Sequence, residues 1–235
     1  MTFVFAIGHA DIVYDVNFEP PTQTDGAGII SGPSSDTPSF TTGNPTAVND
    51  ASLGSFSSQA AFLNNGGQMD FDSPGGSYTS GIFAISFEAT MMDALSGASI
   101  AGIGVEDRFE GEIAVVSFDS SGSMDVGSAG NIVTHPYVLG VPSSFSFLID
   151  LDTYLYSATV DGSPVLQDIS FANSLDITDV FFNTGSPNPN SSMGVDNFSW
   201  TIVPEPSTIT LMLVAGIGLC LRRTRNNNLN RLNRG

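Results

Sequence analysis

The chain has 235 residues, a formal charge of −18 from 24 acids against six bases, one cysteine and no lysine. So acidic a surface repels phosphate backbones and excludes nucleic acid as a partner, and a single cysteine excludes an internal disulfide framework. Once both apolar ends are set aside, the length suits one all-β domain rather than two.

Residues 1–10 begin the chain with Phe3-Val4-Phe5-Ala6-Ile7 and then Gly8-His9-Ala10. The last three fit a small-x-small cleavage site, so residues 1–10 read as the remnant of a signal peptide cut after Ala10, with its start upstream of Met1. An ordinary first strand is the alternative.

Residues 11–203 carry short β-type runs separated by Gly, Ser, Asn, Asp and Pro clusters, the pattern of an all-β domain. Ile12, Tyr14, Val16 and Phe18 alternate on one face of a first strand. A proline-bearing stretch follows from Glu19 to Ser58, with room for short strands near Gly28–Ile30 and Ala47–Val48. Further strands are expected at Ala60–Leu63, Gln68–Phe71, Gly81–Met92, Ser99–Val105, Ile113–Phe118 and Asn131–Val133. Phe145–Asp150 and Tyr154–Val160 read as a hairpin, and Asp161-Gly162 turns the chain toward Val165-Leu166. Asp179–Asn183 and Val195–Val203 close the domain. About twelve strands without disulfides call for two packed sheets.

Residues 203–225 have three parts: Val203-Pro204-Glu205-Pro206-Ser207, an uncharged apolar run over 207–221, and the basic cluster Arg222, Arg223, Arg225. A helix of about 13–15 residues is roughly 20–22 Å long, short for a bilayer that usually needs about 20 residues. It spans if the membrane thins and the arginines snorkel to the interface. Those arginines then stay cytoplasmic and residues 11–203 lie across the inner membrane. A buried core helix is the alternative. Residues 226–235, rich in Asn, read as a disordered tail.

Pro204-Glu205-Pro206, the apolar run and the arginines together resemble the PEP-CTERM sorting signal. Proteins bearing it come from Gram-negative-type bacteria that make extracellular polysaccharide. The resemblance implies recognition by an exosortase, a membrane cysteine protease that cuts near the Pro-Glu-Pro. It also implies a transient stay in the inner membrane, then delivery to the cell surface or the exopolysaccharide matrix. Residues 11–203 resemble the concanavalin A-like (laminin G-like) jelly roll. Phe145–Asp150, Tyr154–Val165 and the closing Val195-Asp196-Asn197-Phe198 carry that likeness. It implies that the first and last strands pair.

Glycosidases of the laminarinase type share that fold and use a Glu-x-Asp-x-x-Glu pattern on one strand, two of its carboxylates acting as nucleophile and acid. The nearest run here, Glu110-Gly111-Glu112-Ile113-Ala114-Val115-Val116-Ser117, lacks two of the three acids. With no Cys or Lys outside the tail, no other nucleophile system is apparent, so a non-enzymatic protein is expected. Calcium is the ligand the loop acids would take, since it prefers oxygen donors. Asp196 and Asn197 would meet Asp15 and Asn17 if the terminal strands pair, and Asp70-Asp72 and Asp150-Asp152 are further pairs. Turn formation is the alternative role for all of them. Glycan binding would use exposed aromatics, with Tyr14, Tyr78, Tyr137, Tyr154 and Tyr156 as candidates. Trp200, just before the tail, reads as core. The expected function is that of an exported surface or matrix protein with a structural or glycan-binding sandwich. A carbohydrate-active hydrolase and a calcium-dependent adhesion module are the alternatives.

Overall fold

The computed structural model describes residues 11–18, 27–29, 37–42, 45–48, 56, 59–64, 66–74, 76–93, 101–106, 112–128, 130–171, 176–184 and 192–203. Ala10, the motif from Pro204 to Ser207, the apolar run and Arg222, Arg223 and Arg225 lie outside them. Among the described residues no helix is long and apolar enough to cross a membrane.

The strands are β1 (Asp11–Val16), β2 (Phe40–Thr42), β3 (Thr46–Val48), β4 (Ala60–Asn64), β5 (Gln68–Asp72), β6 (Ile82–Asp93), β7 (Ala101–Glu106) and β8 (Glu112–Phe118). They continue with β9 (Ser123–Ser128), β10 (Asn131–Pro136), β11 (Ser143–Asp150), β12 (Leu155–Val160), β13 (Ser163–Ser170), β14 (Asp179–Asn183) and β15 (Ser192–Val203). Sheet A runs β13-β12-β11-β6-β15-β4-β3, with β1 also on β15; sheet B runs β10-β9-β8-β7-β14-β5-β2. The domain is an all-β sandwich, as the turn-punctuated sequence predicts.

The terminal strands pair: Tyr14 stands opposite Trp200 and Val16 opposite Phe198. Strand β15 bends to make this possible. Its register slips between Asp196 and Ser199, and Asn197 takes a φ of 53°. Ser192–Val195 then pair with β4 and the later half with β1. The expected hairpin of β11 and β12 forms, with Phe145 opposite Val160 and Ile149 opposite Tyr156. Strand β9 is an addition. Its composition, Ser-Met-Asp-Val-Gly-Ser, reads as turn, and pairing with β8 and β10 makes it a strand.

Inward alternation supplies the core. At its centre Phe71 and Phe198 meet Tyr14 and both touch Phe182: Phe71 and Phe198 centroids lie 4.2 Å apart, and Phe71 meets Phe182 edge-on at 5.8 Å. Trp200 stacks on Tyr14 at 5.9 Å and takes the edge of Tyr78. It has no exposed surface, so it is core, and among the described residues its indole N–H meets no acceptor. Each such aromatic pair adds about 0.5–1.5 kcal/mol beyond area burial. Gly194 sits against the Phe56 ring. A Cβ there would come within 2.5 Å of it, so only glycine lets the ring close on β15.

Candidate acidic face of sheet B

Strand β14 sorts its side chains by alternation. Val180 and Phe182 join the core, whereas Phe181, between them, lies outside that cluster and is buried on the opposite face. Asp179 and Asn183 share the side of Phe181. The register then sets out what surrounds them. Asp179 stands opposite Asp72 on one side and Glu106 on the other, and Glu106 stands opposite Glu112. Four acidic positions therefore follow one another across β5, β14, β7 and β8, the last step, Glu106 to Glu112, lying at a β-bulge. Directly opposed residues lie about 4.5–5.5 Å apart at Cα, and like charges so placed destabilise a sheet.

The next row holds Asp70, opposite Phe181 and Phe40, and the row after it holds Gln68 opposite Asn183. Gln68 Nε2 donates to Asp70 Oδ1 at 2.8 Å. Burial raises the pKa of Asp70, the Gln68 hydrogen bond opposes the rise, and nearby Asp72 adds to it. Ser39 fixes the strand below: its N–H and Oγ both donate to the Asp70 carbonyl at 2.8 Å, and its Oγ accepts the Asp72 N–H at 2.7 Å. Asp179 Oδ1 accepts from Thr178 Oγ1 at 3.2 Å. Asp70 and Asp72, two residues apart on one strand face, are separated by about 6.6–6.8 Å at Cα. Burial and the neighbouring Asp72 thus push Asp70 in the direction that favours a proton donor.

The other sequence-derived candidates separate. Asp15 is exposed opposite Ser199, and Asn17 follows one residue past the last pair, Val16 with Phe198. Asn197 is exposed, but Asp196 is fully buried and its Oδ1 accepts the Asn197 N–H at 2.8 Å. Strand pairing thus puts the four on adjacent strands without putting their side chains in one environment. Among the described residues no three of His, Cys, Asp and Glu gather in metal-binding geometry. Asp150 is a turn-former: its Oδ1 accepts the N–H groups of Asp152 and Thr153. Burial raises its pKa, but the hydrogen bonds from Thr153 and Asp152 outweigh that and lower it overall. Of the tyrosines, Tyr14, Tyr137 and Tyr156 are buried. Tyr78 leans on Phe83 and Tyr154 on Phe171, so only these two keep partly open rings.

The row across sheet B escaped the sequence reading. Its members come from positions 72, 106, 112 and 179, and no linear motif joins them. Only the Asp70-Asp72 spacing was visible.

No family model matches the chain, and no curated protein matches it. Solved structures do. A conserved carbohydrate esterase from the Shiga toxin-encoding bacteriophage phi24B superposes with a TM-score of 0.54 at 8% identity, over 83% of this chain and 100% of that one. Trypanosoma rangeli sialidase in complex with the inhibitor DANA gives 0.47 at 16% identity, over 66% of this chain and 26% of that one. A further sialidase gives 0.46 at 12% identity, over 60% and 15%. The chain spans about a quarter or less of the sialidases it matches. The first of these likenesses overturns the expectation of a non-enzymatic protein, because the scaffold is one that an esterase also has. The expectation rested on one linear motif, and the lack of that motif says nothing of what other chemistry the scaffold can carry.

Proposed function

We propose that the chain is an exported protein of the cell surface or exopolysaccharide matrix whose sandwich engages glycan through the outer face of sheet B. The observation that carries this reading is the row Asp72, Asp179, Glu106 and Glu112 beside Asp70, Gln68 and Asn183. Carboxylates and amides are the groups that accept and donate hydrogen bonds to sugar hydroxyls. The esterase likeness supports the same scaffold for carbohydrate work. The pairing of β1 with β15 supports the concanavalin A-like jelly-roll reading. Export rests on the sequence: Ala10 as the cleavage site, Val203 to Ser207 as the exosortase motif, and Arg222, Arg223 and Arg225 as the basic anchor of a short membrane helix.

A second reading is favoured by Asp70. Its raised pKa next to Asp72 suits a hydrolase that protonates a leaving oxygen. Calcium held by Asp15, Asn17, Asp196 and Asn197 is a separate proposal, that of an adhesion module.

One experiment separates the three. The full chain and its Asp179→Asn and Asp70→Asn variants are applied to a glycan array with and without calcium, and released sugar or acyl group is measured. Binding lost in Asp179→Asn without turnover supports the glycan-engaging surface. Turnover lost in Asp70→Asn supports the hydrolase, and binding that needs calcium supports the adhesion module. Retention of the same glycans by all three proteins would remove the sheet B site.

A further inference from the structure

Strands β11 and β12 end on the pair Asp150 and Leu155, so Leu151-Asp152-Thr153-Tyr154 turn the chain between them. Leu151 is buried, and its N–H donates to Gly81 O at 3.0 Å. Asp150 Oδ1 holds the N–H groups of Asp152 and Thr153, and Asp152 Oδ2 accepts the Gly81 N–H at 3.2 Å. Tyr154 closes the turn with a φ of 56°, and its carbonyl accepts the Phe171 N–H at 3.0 Å. The turn is therefore fixed at both ends.

Left-handed backbone suits glycine, asparagine or aspartate, and a bulky side chain there is an outlier. Among the described residues the other non-glycine cases are accounted for. Asp161, Asp168 and Asn197 are tolerant types, and Phe18 is buried in the core. Core packing does not account for Tyr154. It is half-buried, and it belongs neither to the core nor to the half-buried side chains packed against it. Phe171 is packed there and meets buried Tyr156 at 6.4 Å. Tyr154 meets the outer side of that chain of rings, edge-to-face with Phe171 at 6.0 Å. Strain kept where packing does not require it points to function.

We infer that Tyr154 is a stacking platform for one pyranose ring of an uncharged glycan, at a site apart from the outer face of sheet B. Its neighbours select that ligand. Asp152 and Thr153 on the turn are exposed, as is Ser170, which stands opposite Leu155. A protein partner needs a contiguous apolar patch, and one ring among polar groups does not offer it. A sugar suits both parts: its C–H face lies on the aromatic ring, and its hydroxyls donate to carboxylate and hydroxyl oxygens. Asp150 and Asp152 on the turn, in a chain formally at −18, repel an anionic sugar. The inference shares with the glycan reading above the class of ligand and none of the residues, so the two fail separately.

The test measures retention of the full chain, in non-ionic detergent, on immobilised neutral hexose oligosaccharides and on hexuronic acid oligosaccharides of equal length. The parent is expected to hold the neutral series. Tyr154→Gly weakens that binding on the order of tenfold, the loss of one aromatic contact, while its urea midpoint does not fall, because glycine takes the positive φ without steric cost. Tyr154→Phe keeps the ring and loses less than about twofold. Equal retention by Tyr154→Gly and the parent overturns the inference, and the sheet B face then stands alone if Asp179→Asn loses binding. Binding lost in Tyr154→Gly but kept in Asp179→Asn supports this site and removes the other. A midpoint that falls together with retention makes Tyr154 a structural residue and overturns the inference. So does a parent that holds neither series or prefers the hexuronic acids.

Discussion

On its inner face sheet B buries Met69, Phe71, Val180 and Phe182 without exposed surface; on its outer face the same two strands, β5 and β14, carry Gln68, Asp70, Asp72, Asp179 and Asn183. The inner face lowers free energy in the ordinary way, by removing apolar area from water. The outer face does the reverse, since Asp72 and Asp179 stand opposite one another and like charges so placed weaken a sheet. A surface that needed only solubility would scatter its acids. The contrast teaches that the inner face is shaped by stability and the outer face by something that tolerates its cost.

The largest expected effect tests the inner side. Trp200→Ala removes a fully buried ring that stacks on Tyr14 and meets Tyr78. It should cost about 3–5 kcal/mol, read as a lower midpoint in urea. A loss under about 1 kcal/mol would break the comparison, because the core would then not depend on its inner aromatics.

A smaller effect of opposite sign is expected outside. Asp179→Asn relieves the row and should stabilise the chain by about 0.2–1 kcal/mol, while glycan retention falls. Destabilisation by this variant would mean that Asp179 is a structural member of the sheet.

The smallest effect sharpens the second row. Asp70 holds its proton more tightly when folded, because burial raises its pKa above the ordinary 3.8. Its contribution to stability is therefore fully present below 3.8 and is lost as pH rises through the raised value. Thermal unfolding across pH should show Asp70→Asn more stable than the parent near neutrality, with the gap closing in acid. Curves that run parallel at every pH would place the Asp70 carboxyl in water rather than under cover.

Much of the sandwich was legible in the chain. The alternation of Phe145, Phe147 and Ile149 against Tyr156, Ala158 and Val160 declares a hairpin because side-chain direction has a period of two and needs no distant information. Asp161-Gly162 declares its next turn for a similar local reason, the φ values of 49° and 72° that the pair adopts. Strand β9 was not legible, because Ser, Gly and Asp favour turns and only its neighbours on both sides overrule them.

What the sequence by itself determined is an acidic all-β domain, which follows from composition and short-range alternation; the pairing of its ends was only what the jelly-roll resemblance implied. Tertiary structure alone decided that Asp72, Asp179, Glu106 and Glu112 follow one another across sheet B and that Asp196 is buried while Asp15 is open. It also decided that β10 is left as an edge. The physical reason is that register and strand order are set by contacts between residues far apart in the chain, and neighbours along the backbone carry no record of them.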